Sequence, residues 1–172
     1  MLWFSRAKPV PQVRVPAVMV VDMQTMFLNQ LATHVREKLV TAHERLLRVC
    51  AEKDIPVIVA ELERYGETAP DVRQLLKSVP RVDRVTKPGN SVFSANETLT
   101  LLSGYGANTI ILCGVNASFC VWETAKDART GGYYVAVDAD CMLDTQENRL
   151  PEKVRRKYSR EGMLVPDVVG LL

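Results

Sequence analysis

The chain has 172 residues, 47% hydrophobic and 24% charged, a composition suited to one globular core. Its 22 basic and 20 acidic residues leave a net charge of +2, so nothing electrostatic argues for nucleic acid or an anionic membrane as partner. No apolar run reaches membrane-spanning length, the first residues lack the order of a secretory signal, and four cysteines without C-x-x-C spacing read as reduced thiols; a cytoplasmic location is expected.

Residues 1–15, proline-bearing and basic, read as an extended lead-in to a domain that fills residues 1–172. "AVMVVD" (Ala17 to Asp22) is a continuous apolar run of the kind found in strands buried on both faces. From His34 to Lys53, Val35, Leu39, Ala42, Leu46, Leu47 and Cys50 recur at helical spacing, and the two histidines, His34 and His43, are expected on the solvated face. "IPVIVA" (Ile55 to Ala60) is the second strand. The turn-rich "ELERYGETAPDV" follows, and Asp71 is expected to cap a short helix reaching Lys77.

"RVDRVTK" (Arg81 to Lys87) is a weaker strand closed by the turn signal "KPGN". A helix from Asn96 to Tyr105, the strand "TIILC" (Thr109 to Cys113) and a helix from Ser118 to Arg129 come next. The strand "YYVAVDAD" (Tyr133 to Asp140), a charged helix over Glu147 to Gly162 and an edge strand at "MLVP" complete the chain. The basic stretch "KVRRKYSR" (Lys153 to Arg160) reads as a solvated helix face. Short β-branched runs alternating with helices predict an α/β fold: a three-layer α/β/α sandwich around a mostly parallel sheet.

In such sheets the active crevice lies beyond the C-terminal strand ends. Asp22, Lys87 and Cys120 all fall there: an acid, a base and a thiol on one edge. Singly, each has an ordinary reading, since a lone cysteine is more often a buried hydrophobe than a nucleophile. Cys113, Cys141 and Cys50 take that reading. Together the three at the strand ends favour acyl transfer. A helix N-terminus and a nearby ammonium are expected to lower the Cys120 pKa, Asp22 to move its proton, and backbone N–H groups of "NASFC" to hold an oxyanion. Cys120 to Lys126 has the spacing of the C-x5-R phosphatase loop, but with a lysine for the bidentate arginine, and "GYGANT" lacks the third glycine of a dinucleotide fingerprint.

"VVDMQTMF", "KPGNSVFS" and "ILCGVNASFCVWETAKDARTGGYYVAVDADC" resemble the three signature blocks of the isochorismatase-like cysteine hydrolases. The resemblance implies that family's fold, with Asp22 as general base, Lys87 as transition-state stabiliser and Cys120 as nucleophile. It also implies a non-proline cis peptide at Val115–Asn116, which would aim the Asn116 N–H, with that of Cys120, into an oxyanion hole. Gln24 matches the position two after the aspartate; Phe27, Glu61, Phe93 and Trp122 are candidate pocket residues. Nicotinamidases of the family carry an Asp-x-His pair and a further histidine that bind a metal. This chain has "ELERYGETAPD" after its second strand, so no metal and no other cofactor are expected.

The intact trio points to hydrolysis of a small amide or carbamoyl-type substrate through a thioester. Vinyl ether hydrolysis, as in isochorismate-cleaving members, a non-catalytic binding or assembly module, and a redox role pairing Cys120 with Cys113 or Cys141 are the alternatives. The expected partners are a small-molecule substrate and, by resemblance, further copies of the chain.

Overall fold

The computed structural model describes residues 14–172, so the expected lead-in over residues 1–15 lies almost wholly outside the described residues. Six strands form one sheet: β1 (Pro16–Val21), β2 (Val57–Leu62), β3 (Val82–Lys87), β4 (Thr109–Val115), β5 (Tyr134–Leu143) and β6 (Leu164–Val165). The helices are α1 (Thr25–Leu28), α2 (Thr33–Glu52), α3 (Pro70–Leu76), α4 (Thr98–Tyr105), α5 (Cys120–Thr130) and α6 (Glu152–Arg160). The strand order is β3-β2-β1-β4-β5-β6, and every pairing is parallel. No helix among the described residues is long and apolar enough to cross a membrane.

Alternation along the strands sorts side chains onto two cores. Val18 and Val20 of β1 pack with Leu39, Leu46 and Leu47 of α2 and Val72 of α3, whereas Ala17, Met19 and Val21 face Leu102 of α4, Val121 of α5 and Tyr158 of α6. Both faces of the sheet are thus covered, which is why β1 and β4 read as unbroken apolar runs rather than alternating ones. The chain winds outward from β1 through β2 to β3, then returns to pair β4 on the other side of β1. That reversal puts the switch point of the sheet at the ends of β1 and β4, the usual ligand position in doubly wound sheets.

Several boundaries differ from the expectation, each for a local reason. Helix α5 starts at Cys120 rather than Ser118, because residues 117–119 are spent on a turn. β5 continues three residues past Asp140: its register against β4 shifts between Leu112 and Gly114, and the buried Cys141, Met142 and Leu143 extend the pairing. α6 begins after Pro151, preceded by a 3-10 turn at Thr145–Glu147. Asp71 is no cap; it lies in the first turn of α3 and pairs with Arg36 at 2.9 Å.

His43 is the largest correction on α2. It is fully buried rather than solvated, with Nδ1 2.8 Å from the Leu39 carbonyl oxygen and Nε2 without a hydrogen-bond partner among the described residues. Burial holds its pKa down at about 4, against an ordinary 6.5. The unfolded chain therefore binds a proton that the folded chain refuses as the pH falls below about 6.5. The stability His43 contributes is complete above that pH and lost toward pH 4, by roughly 3 kcal/mol. Urea unfolding of wild type and His43→Leu between pH 7 and 4 checks this. The variant is expected to lose stability less steeply, and equal slopes would assign the loss to other groups.

Candidate active site

The site forms where β1, β3 and β4 end. Val21 pairs with Gly114, which brings the ends of β1 and β4 side by side. Asp22 then leaves the sheet with a left-handed φ of 54°, a conformation aspartate tolerates better than most residues. Gly114 (φ 126°) and Asn116 (φ 64°) turn the chain out of β4. A Cβ at Gly114 would stand 2.0 Å from the Val21 carbonyl oxygen, so only glycine allows this approach.

Lys87 reaches across from β3 and is entirely buried, as is Asp22. Its Nζ lies 3.1 Å from Asp22 Oδ1 and donates to Asp22 Oδ2 (3.2 Å), to the Gly89 carbonyl (3.2 Å) and to the Asn90 carbonyl (3.0 Å). Three protons meet three acceptors, so the ammonium is fully engaged and fixed. Asp22 Oδ1, by contrast, accepts no hydrogen bond with good geometry among the described residues, although the Cys120 and Asn116 side chains also lie against the carboxylate.

Cys120 is the first residue of α5 and 3% exposed, with Sγ 3.9 Å from Asn90 Oδ1. Its position is held from both sides. Thr124 Oγ1 donates to the Cys120 carbonyl (2.7 Å) and accepts from Val92 N (3.0 Å), tying α5 to the segment after Lys87. Asp144 accepts from both the N–H (2.8 Å) and the hydroxyl of Ser118, and Tyr158 donates to the Ala117 carbonyl (2.8 Å).

The electrostatics reverse one expectation. Burial, reinforced by the adjacent Asp22 charge and only partly offset by Lys87, pushes the Cys120 thiol up to about 12. Burial likewise raises Asp22 above the ordinary carboxylate range, against the pull of the Lys87 ammonium. Cys120 thus rests as a protonated thiol, and a helix start plus a lysine do not ionise it unaided. Any nucleophilic use of Cys120 therefore needs a base in contact.

A second expectation is corrected here. The described residues contain no cis peptide bond. The chain reversal at Val115–Asn116 comes instead from the positive φ values of Gly114 and Asn116 across a trans bond. With this bond trans, the Asn116 N–H lacks the aim toward an oxyanion that a cis bond would give it. Cys120 opens α5, where a backbone N–H has no acceptor within the helix.

Of the other sequence candidates, Asn116 joins the trio through its side chain and also meets Thr145 Oγ1 at 3.3 Å. Gln24 holds the loop after β2, donating to the Leu62 and Gly66 carbonyls and accepting from Leu62 N. Glu61 is engaged by the N–H and hydroxyl of Thr68. Phe27 stacks on Tyr65 of that loop (5.0 Å), and Phe93 packs by Tyr133 (6.2 Å). Trp122 lines a cleft of about 470 Å³ whose lining includes Asn116 but not Asp22, Lys87 or Cys120. Asn90 and Asp144 escaped the sequence reading; Asn90 stood in the quoted "KPGN", whereas nothing local marks Asp144 as a partner of Ser118. No group of three or more His, Cys, Asp or Glu suited to a metal ion occurs among the described residues.

Comparison with known proteins gives this arrangement its context. The family model described as "Isochorismatase domain" matches residues 16–156. Isochorismatase domain-containing protein 2 of Xenopus laevis is 29% identical over 139 residues, covering 80% of this chain and 65% of that protein. The MAR1 ribonuclease of Caenorhabditis elegans superposes with a TM-score of 0.75 at 22% identity, over 90% of this chain and 79% of that one. The N-carbamoylsarcosine amidase of Thermoplasma acidophilum gives a TM-score of 0.71 at 21% identity, over 87% and 94%. At such identities the two structures establish a shared fold.

Proposed function

This chain belongs to the isochorismatase family, and from that premise we propose that it is a cysteine hydrolase cleaving a C–N bond of a small amide or carbamoyl-type substrate through a Cys120 thioester. The observation that carries the reading is the wholly buried Lys87–Asp22 ion pair lying against a buried thiol. A buried ion pair is a poor way to stabilise a fold, since desolvation offsets most of its attraction. Placed where β1 ends beside β4, its value lies in chemistry.

Asp22 takes the Cys120 proton as Sγ bonds to the substrate carbonyl carbon, and negative charge moves to the carbonyl oxygen. The Cys120 N–H faces that charge, and Lys87 balances the site while holding Asp22 in place. When the tetrahedral adduct collapses, the C–N bond breaks and the leaving amine carries away the proton from Asp22. Water, deprotonated by the same carboxylate, then attacks the thioester, releasing the acid and restoring the thiol.

The buried trio suits a small substrate, since a polymer backbone has no approach to groups at 0–3% exposure. One observation favours a second reading: a carboxyl raised above its ordinary pKa keeps its proton to higher pH, so more of it is in the acid form that vinyl ether hydrolysis needs. The two readings differ at Cys120. Screening small amides, ureas and carbamoyl compounds with wild type and Cys120→Ala is expected to find turnover that the variant loses by at least about a thousandfold. Undiminished turnover in the variant would end the thioester reading and favour acid chemistry at Asp22. Self-association belongs to the reading as well, and a monomeric mass by light scattering would remove it.

A further inference from the structure

The cleft beside the nucleophile turn has a lining that the hydrolytic reading does not use. We propose that it is a binding site for a small aryl carboxylate, with the ring against Phe119 and the carboxylate between Lys153 and Lys157.

At about 470 Å³ the cleft has the size of a small-molecule site. Its apolar wall is Phe119, Trp122, Pro151 and Val154. Phe119 stands out: it is the N-cap of α5, directly before Cys120, yet 61% exposed. A large apolar side chain at that position gains nothing from the fold and leaves a ring face open to a flat apolar ligand.

The charges of the cleft are unequal. Asp144 is taken up by Ser118, and Glu147 has Arg149 at 3.7 Å. Lys153 and Lys157 form no ion pair among the described residues, whereas neighbouring Arg156 pairs with Glu152. The two lysines are four apart on α6, a spacing at which like charges repel and weaken a helix. Lys157 Nζ is also held 3.8 Å above the Trp122 ring, which fixes the ammonium at the cleft wall. Two unpaired cations beside an apolar wall call for an anionic head on an apolar body. An occupant would cover Phe119 and border Asn116, whose side chain lies against Asp22.

Amide chemical shifts of the full chain, titrated with benzoate and separately with benzyl alcohol, test this without reference to turnover. Benzoate is expected to give saturable shifts centred on Phe119, Lys157 and the Trp122 indole N–H. It should bind at least about fivefold more tightly than benzyl alcohol, the ratio one charge-assisted contact supplies. Lys153→Gln/Lys157→Gln, both exposed changes, should weaken benzoate by a similar factor and erase its advantage over the alcohol. Equal affinity for acid and alcohol, unchanged benzoate binding in the double variant, shifts outside the cleft, or no shift at about 20 mM benzoate would each overturn the proposal.

Discussion

Asp22→Asn is expected to move two properties of Cys120 in opposite directions. Hydrolysis should fall by about a thousandfold, because the thiol proton then has no base in contact. Alkylation of Cys120 by iodoacetamide near pH 8 should rise, by roughly threefold or more, because the Asp22 charge is one of the groups holding the thiol up at about 12. Asparagine keeps the shape of aspartate, and Lys87 keeps its bonds to the Gly89 and Asn90 carbonyls. The ammonium, relieved of its carboxylate, favours the thiolate instead. Peptide mapping separates Cys120 from the other three thiols, all buried. A variant with slower alkylation and intact hydrolysis would deny Asp22 the role of base; a merely structural role would not separate the two signs.

Gly114→Ala is expected to cost more stability than any other alanine substitution at the site, at least about 4 kcal/mol, a large share of what a domain of this size possesses. The new Cβ would stand 2.0 Å from the Val21 carbonyl oxygen and 2.8 Å from Val21 N and C, all backbone of the central strand. Relief requires separating β1 from β4, and Asp22 and Cys120 sit on those two ends. Gly66→Ala is the control. Its φ of 76° also disfavours a side chain, though less than the 126° of Gly114, and nothing lies within 4 Å of the added methyl, so it should lose only about 1–2 kcal/mol. Urea midpoints for the two variants compare them directly. Similar losses would show that backbone conformation, not the close approach, makes glycine necessary at position 114.

The fold was legible because its signals are local and repeated. Each of the first five strands is a short β-branched run ending in a turn or helix signal, and parallel pairing follows from the helices between them. The placement of the trio was legible for the same reason: Asp22 follows β1, Lys87 ends β3 and Cys120 opens the helix after β4. Strands β1 and β4 are neighbours, while the long Lys87 side chain reaches Asp22 past β2. His43 was legible too and misread. With Leu39, Leu46, Leu47 and Cys50 it lies on one apolar stripe of α2, and only its polarity suggested solvent.

What the sequence withheld depends on burial and on partners distant in the chain. The elevated Cys120 thiol follows from tertiary cover and from a carboxylate 98 residues earlier. Whether a turn uses a cis bond or left-handed residues is decided by the strands it joins, and here Gly114 and Asn116 supply the latter. The register shift that carries β5 on to Leu143, and so sets Asp144 beside Ser118, leaves no local mark in "YYVAVDADCML".

The central claim is that Cys120 becomes acylated. The direct measurement is the intact mass of the protein after acid quenching during turnover of an amide or carbamoyl compound found by screening. The account predicts a wild-type mass increase equal to the acyl group, located on the peptide bearing Cys120, and no increase in Cys120→Ala. Turnover sustained by Cys120→Ala, or an acyl group on another residue, would contradict it.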